Sequence, residues 1–223
     1  MSLEVLEGQT GPDPKATIIV LHGLGADGND FVPIAQEMDL SAVAPVRYVF
    51  PSAPVRAVTI NNGHRMRAWY DILGMDLVRR EDEAGLRESQ ALIEELIARE
   101  IERGVPASRI VLMGFSQGCA MTLMTGLRHA ERLAGLVCLS GYLPLADKTA
   151  AEVHAANADV PIFMAHGRQD PVVQPERGQA SREQLEKLGY AIEWHDYPMP
   201  HSVCPEEVRD LTAWLLKRLA PAA

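Results

Sequence analysis

The residues best equipped for chemistry in this chain are Gly114-Phe115-Ser116-Gln117-Gly118, a G-x-S-x-G pentapeptide. Those letters recur by chance, but here they stand between a buried apolar run, Arg109 to Gly114, and a helical stretch beginning at Ser116. A strand that turns abruptly into a helix lifts the serine above the sheet edge. Glycines two before and two after it are then required, because side chains there would collide. Such a serine attacks a carbonyl only with a base in hydrogen-bond reach and a carboxylate holding that base in one tautomer.

Seven histidines compete for the role of base. His22 belongs to the loop after the first strand, and His129 ends the helix that starts at Ser116. His154 lies in a polar, Ala-rich stretch, His64 in a poorly patterned loop, and His195 inside a strand. His166 belongs to His166-Gly167-Arg168-Gln169-Asp170-Pro171, which reads as the carrier of the acid. His201 remains, in Tyr197-Pro198-Met199-Pro200-His201-Ser202, between a strand and the last helix. Asp170 follows a predicted strand at its carboxyl end, where open α/β sheets gather ligands. The order Ser116, Asp170, His201 is that of the α/β-hydrolases. A third element is His22-Gly23-Leu24-Gly25. The N–H of Leu24, with that of Gln117, would hold a developing oxyanion, each such donor being worth about 2.7–4 kcal/mol. The same glycines show no phosphate-loop spacing, neither G-x-x-x-x-G-K-[ST] nor G-x-G-x-x-G.

The elements that must position these groups alternate. Thr17–Leu21, Arg47–Phe50, Arg109–Gly114, Gly135–Ser140, Pro161–Ala165 and Ala191–Tyr197 read as strands. Helices are predicted over Phe31 to Met38 (capped by Asn29 or Asp30), Leu86 to Arg103, Ser116 to Leu127, Pro175 to Leu188 and Pro205 to Leu219. Ser52 to Asp82 reads as a long ordered loop with a short strand near Ala57 to Ile60. Alternation of this kind predicts an α/β fold with a mostly parallel sheet and helices on both faces. With no repeat, linker or low-complexity tract, one domain over residues 1–223 is expected.

Composition agrees with a soluble globular chain: 47% hydrophobic, 23% charged, with a net charge of −9. An excess of acids excludes a nucleic-acid or anionic-membrane partner, which would need a concentrated positive field. The first residues carry acids where a secretory leader carries bases, and the longest apolar stretch is too short to span a bilayer. A cytoplasmic protein without stable membrane insertion is expected. Cys119, Cys138 and Cys204 are odd in number and have no C-x-x-C spacing; two of them could pair only if the fold brought them together, and Cys138, in an apolar run, reads as a buried, inert thiol.

These motifs resemble, taken together, the phospholipase/carboxylesterase family that includes acyl-protein thioesterases, and within it the bacterial carboxylesterases. The likeness rests on Leu21-His22-Gly23-Leu24-Gly25-Ala26-Asp27, Trp69-Tyr70-Asp71, the Ser116 pentapeptide, the Asp170 segment and Tyr197-Pro198-Met199-Pro200-His201. It covers nearly the whole chain. It implies an α/β-hydrolase without a large cap domain, no metal or cofactor, a Ser116–His201–Asp170 triad, and Leu24 and Gln117 as oxyanion donors. It also implies that Trp69 and Tyr70 border an acyl pocket, and it allows a homodimer. Two departures stand out: Cys119 and Pro200 each replace a glycine usual in the family, the second just before His201. The expected reaction is hydrolysis of a small-molecule carboxylic ester through an acyl-enzyme on Ser116. Thioester cleavage on acylated proteins, or lysophospholipid hydrolysis, is the second reading, since the machinery is shared. A non-catalytic α/β-hydrolase that binds a small ligand would need a broken triad.

Overall fold

A strand that is apolar along its whole length is stable only when both faces are covered, since each exposed Leu, Ile or Val would forfeit about 1.5–3 kcal/mol of burial. In this computed structural model, which describes residues 3–74 and 81–220, the apolar runs meet that condition. The strands are β1 (Glu4–Gln9), β2 (Ala16–Leu21), β3 (Val46–Ser52), β4 (Val55–Val58), β5 (His64–Arg67), β6 (Ile110–Phe115), β7 (Gly135–Leu139), β8 (Ile162–Gly167) and β9 (Ile192–Tyr197). Seven of them form one sheet in the order β1-β3-β2-β6-β7-β8-β9, parallel throughout except for β1. The α-helices are α1 (Val32–Glu37), α2 (Glu83–Glu102), α3 (Gln117–Gly126), α4 (Ala146–Glu152), α5 (Pro175–Lys187) and α6 (Pro205–Arg218).

Strand alternation sends side chains to two apolar layers. Ile19, Leu21, Leu112 and Cys138 pack with Leu86, Ile93 and Ile97 of α2, Leu123 of α3 and Leu185 of α5. Ile18, Val20, Val111 and Val137 pack on the other face with Leu211, Trp214 and Leu215 of α6 and the flank of α1. Helices on both faces of a mostly parallel sheet are therefore what the chain builds. Glu100 of α2, fully buried, ties helix to sheet: it accepts from Thr17 Oγ1 at 2.8 Å and Arg47 at 2.7 Å.

Several local expectations change. α1 is capped by Phe31 without a side-chain bond, and the Asp27 carboxylate instead accepts from Asn29 N–H. α2 starts before Leu86, because Asp82 caps it by accepting from the Gly85 N–H. Where one strand was expected near Ala57 to Ile60, β4 and β5 form a separate hairpin that turns through Asn62 and Gly63, both at positive φ. Residues 75–80, inside the long loop expected between Ser52 and Asp82, lie outside the described residues. β1 and α4 were not anticipated. Among the described residues no helix is long and apolar enough to cross a membrane.

Glu207, in the first turn of α6, is fully buried and neither of its carboxyl oxygens has a hydrogen-bond partner. Burial pushes its pKa from 4.5 up to about 8, with the nearby Cys204 backbone N–H pulling weakly the other way. Stability from the protonated acid is thus fully present below about 4.5 and is lost as pH rises through about 8. Glu207→Gln, which cannot ionise, is expected to gain on the order of a few kcal/mol over the parent at the alkaline end and little at the acid end. Urea melts at both ends check this; parallel pH dependence of the two proteins would contradict it.

Candidate active site

The parallel strands bring one set of ends together. Leu21 pairs with Gly114, Gly114 with Cys138, Leu139 with Ala165, and Gly167 with Tyr197, so the chain leaves β2, β6, β7, β8 and β9 along a single rim. His22–Leu24, Ser116, Asp170 and His201 all follow strands ending on that rim.

Ser116 sits between β6 and α3 at φ 56° and ψ −115°, a strained conformation for a residue with a side chain, costing about 1–3 kcal/mol. Its N–H donates to the Leu139 carbonyl at 2.8 Å. The turn leaves no room beside it. A Cβ on Gly114 would lie 2.1 Å from the Gly118 carbonyl oxygen, and one on Gly118 would lie 2.0 Å from that of Leu21. Both glycines are therefore steric requirements of the turn.

Asp170, just past β8, is buried, with both carboxylate oxygens in use. Oδ1 accepts from the N–H groups of Val172 at 2.8 Å and Val173 at 2.9 Å. Oδ2 lies 2.6 Å from His201 Nδ1. A carboxylate can only accept, so Nδ1 carries a proton, and in the neutral ring the lone pair is on Nε2. The His201 ring packs 4.7 Å, centroid to centroid, from the ring of Phe115, the residue before the serine. No hydrogen bond joins Ser116 Oγ to this ring; such contacts are commonly long before substrate binds. Pro200 does not dislodge His201 from Asp170.

The loop after β2 is equally constrained. His22 is buried; its Nε2 accepts from the Ala53 N–H at 2.9 Å, so Nδ1 holds the proton and donates to the Gly23 carbonyl at 2.6 Å. Burial lowers the His22 pKa, in keeping with this neutral ring. Gly25, at φ +78°, donates its N–H to the Arg67 carbonyl at 2.9 Å. Among the described residues the N–H groups of Leu24 and Gln117 have no protein acceptor. Trp69 is wholly buried and Tyr70 nearly so, and both are bonded to Gln117. No group of three or more His, Cys, Asp or Glu among the described residues is arranged to hold a metal ion. Cys119 and Cys138 are buried neighbours, and burial pushes the Cys138 thiol well up.

A family model described as phospholipase/carboxylesterase matches residues 4–219. This chain belongs to the phospholipase/carboxylesterase family. It is similar to acyl-protein thioesterase 1 of Neurospora crassa, 42% identical over 217 residues, which cover 93% of this chain and 89% of that protein. Acyl-protein thioesterase 1 of Mycosarcoma maydis is 41% identical over 228 residues, covering 96% and 95%. Among solved structures, Arabidopsis thaliana SOBER1 superposes with a TM-score of 0.87 at 31% identity, covering 92% of this chain and 99% of that one.

Sequence reasoning missed several groups around this phospholipase/carboxylesterase site. His166, set aside as a neighbour of the acid, has Nε2 at 3.4 Å from Asp170 Oδ2 and 2.8 Å from the Val173 carbonyl oxygen. It fastens the same turn whose N–H groups hold Asp170. The His22 ring and the Gln117 amide likewise bond to backbone. A backbone partner has no letter in the sequence, so nothing there marks these bonds. The other histidines lie elsewhere: His129 pairs with Glu94 at 2.6 Å, and His195 contacts Glu193 and Asp210.

Proposed function

We propose that this hydrolase-family chain cleaves acyl thioesters of acylated proteins through an acyl-enzyme on Ser116. The observation that carries the reading is the 2.6 Å His201–Asp170 hydrogen bond, made on the rim where the strained Ser116 turn emerges. Ser116 Oγ attacks the carbonyl carbon while His201 Nε2 takes its proton, and Asp170 stabilises the imidazolium. The N–H groups of Leu24 and Gln117 donate to the oxyanion. His201 then gives its proton to the departing sulfur, and water attacks the acyl-enzyme in the same way.

The relatives' name, acyl-protein thioesterase, favours sulfur over oxygen as the leaving atom. That reverses the order expected from sequence, where carboxylic esters stood first. The family description, phospholipase/carboxylesterase, supports oxygen esters as the second reading. The net charge of −9 supports the absence of a nucleic-acid partner, and we place the enzyme in the cytoplasm, not inserted in membrane. A homodimer stays in the proposal on family resemblance alone.

A fluorophosphonate probe is expected to label the protein once, at Ser116 by peptide mapping. In a series of acyl chains on matched sulfur and oxygen leaving groups, kcat/KM is expected to be higher for the thioester at the preferred length. Higher values for oxygen esters at every length would leave a carboxylesterase. Neither labelling nor turnover would leave a ligand-binding protein.

A further inference from the structure

Trp69 and the side chain of Gln117 carry bonds that the reaction above does not use. We propose that they are positioning residues, which hold the two oxyanion donors at a fixed separation; this rests on the Ser116 reading. The donors come from distant parts of the chain, Leu24 after β2 and Gln117 at the start of α3. The segment at residues 69–70 is bonded to Gln117 itself and to His22, in the loop that carries Leu24. Gln117 Oε1 accepts from the Trp69 N–H at 2.8 Å, and its Nε2 donates to the Tyr70 carbonyl at 2.8 Å. On the other side the Trp69 indole N–H donates at 2.9 Å to the carbonyl of His22, two residues before Leu24. The indole also lies 5.3 Å from the His22 ring.

The bracket is itself anchored. Ser89 Oγ of α2 donates to the Trp69 carbonyl, and the Tyr70 and Tyr142 hydroxyls meet at 2.7 Å. Trp69 has no exposed surface with which to touch an acyl chain, and its backbone N–H, carbonyl and indole N–H are all spent on this bracket. Oxyanion donors act through their aim at the position where charge develops, and a misplacement of about 1 Å can cost on the order of a hundredfold.

The test is steady-state kinetics on Trp69→Phe, which keeps an aromatic ring but removes the indole N–H, and on Gln117→Met, which keeps length but loses both amide bonds. In each, kcat is expected to fall about ten- to a hundredfold with KM within about twofold. Affinity for an alkyl boronic acid, whose tetrahedral adduct imitates the oxyanion, is expected to fall by a similar factor. A rise in KM at unchanged kcat would place these residues in ground-state substrate binding and overturn the proposal, as would unchanged kinetics in both. Should Trp69→Phe fail to fold, Gln117→Met decides alone. Parent protein that is labelled by fluorophosphonate beside unaffected variants sinks the bracket only; parent protein that is never labelled sinks the Ser116 reading with it.

Discussion

Ser116→Ala is expected to lower kcat on the order of a million-fold while leaving the melting temperature within about 2 °C of the parent. The two halves of this expectation come from different observations. The hydroxyl is the attacking group of the proposed reaction. Yet that hydroxyl makes no hydrogen bond, while the backbone bond from Ser116 to Leu139 and the glycines on either side remain. Alanine at φ 56° is strained as serine is, so the turn loses little. Hydrolysis of a chromogenic thioester, fluorophosphonate labelling and a thermal melt together decide it. Activity within a factor of ten of the parent in a folded variant would remove Ser116 from the mechanism.

The second large effect is expected from Asp170→Asn, a fall of about ten-thousand-fold in kcat at neutral pH. The substitution changes one atom, and the neighbours dictate which way the new amide faces. The N–H groups of Val172 and Val173 need an acceptor, so the amide oxygen takes the place of Oδ1. Its NH2 group must then face His201 Nδ1, where the carboxylate now accepts at 2.6 Å. To receive that donor the imidazole has to shift its proton to Nε2, the nitrogen meant to take the serine proton. The base is thereby blocked with geometry intact. Fluorophosphonate labelling should slow in proportion, and a nearly normal rate would show that His201 does not depend on Asp170 for its tautomer.

Much of the architecture could be read from letters because buried parallel strands are apolar on both faces. Thr17–Leu21 and Ile110–Met113 stand out from any neighbouring loop for that reason. β1 could not be read. It is an edge strand whose side chains point mostly to solvent, with Leu6 itself 42% exposed, so no buried face imprints a pattern. β5, His64-Arg65-Met66-Arg67, pairs only with another short exposed strand and has no apolar alternation. α4 is short and its N-cap, Leu145, is left-handed with no side-chain cap bond, so no capping residue announces the helix. At the site, the side chains proposed for proton transfer carry distinctive types and spacing. Those that hold them, the His22 ring, the His166 ring and the Gln117 amide, bond to carbonyls and N–H groups that any residue could supply.

The rim is assembled from strand ends scattered over the whole chain, with Leu24 near one end of the sequence and His201 near the other. Pairings of such long sequence separation form slowly, because loop closure must precede the contacts that reward it. On the proposed mechanism, a growing chain would therefore gain its base only once β9 has docked beside β8. A chain cut anywhere between Ser116 and His201 would carry the proposed nucleophile without its proposed base.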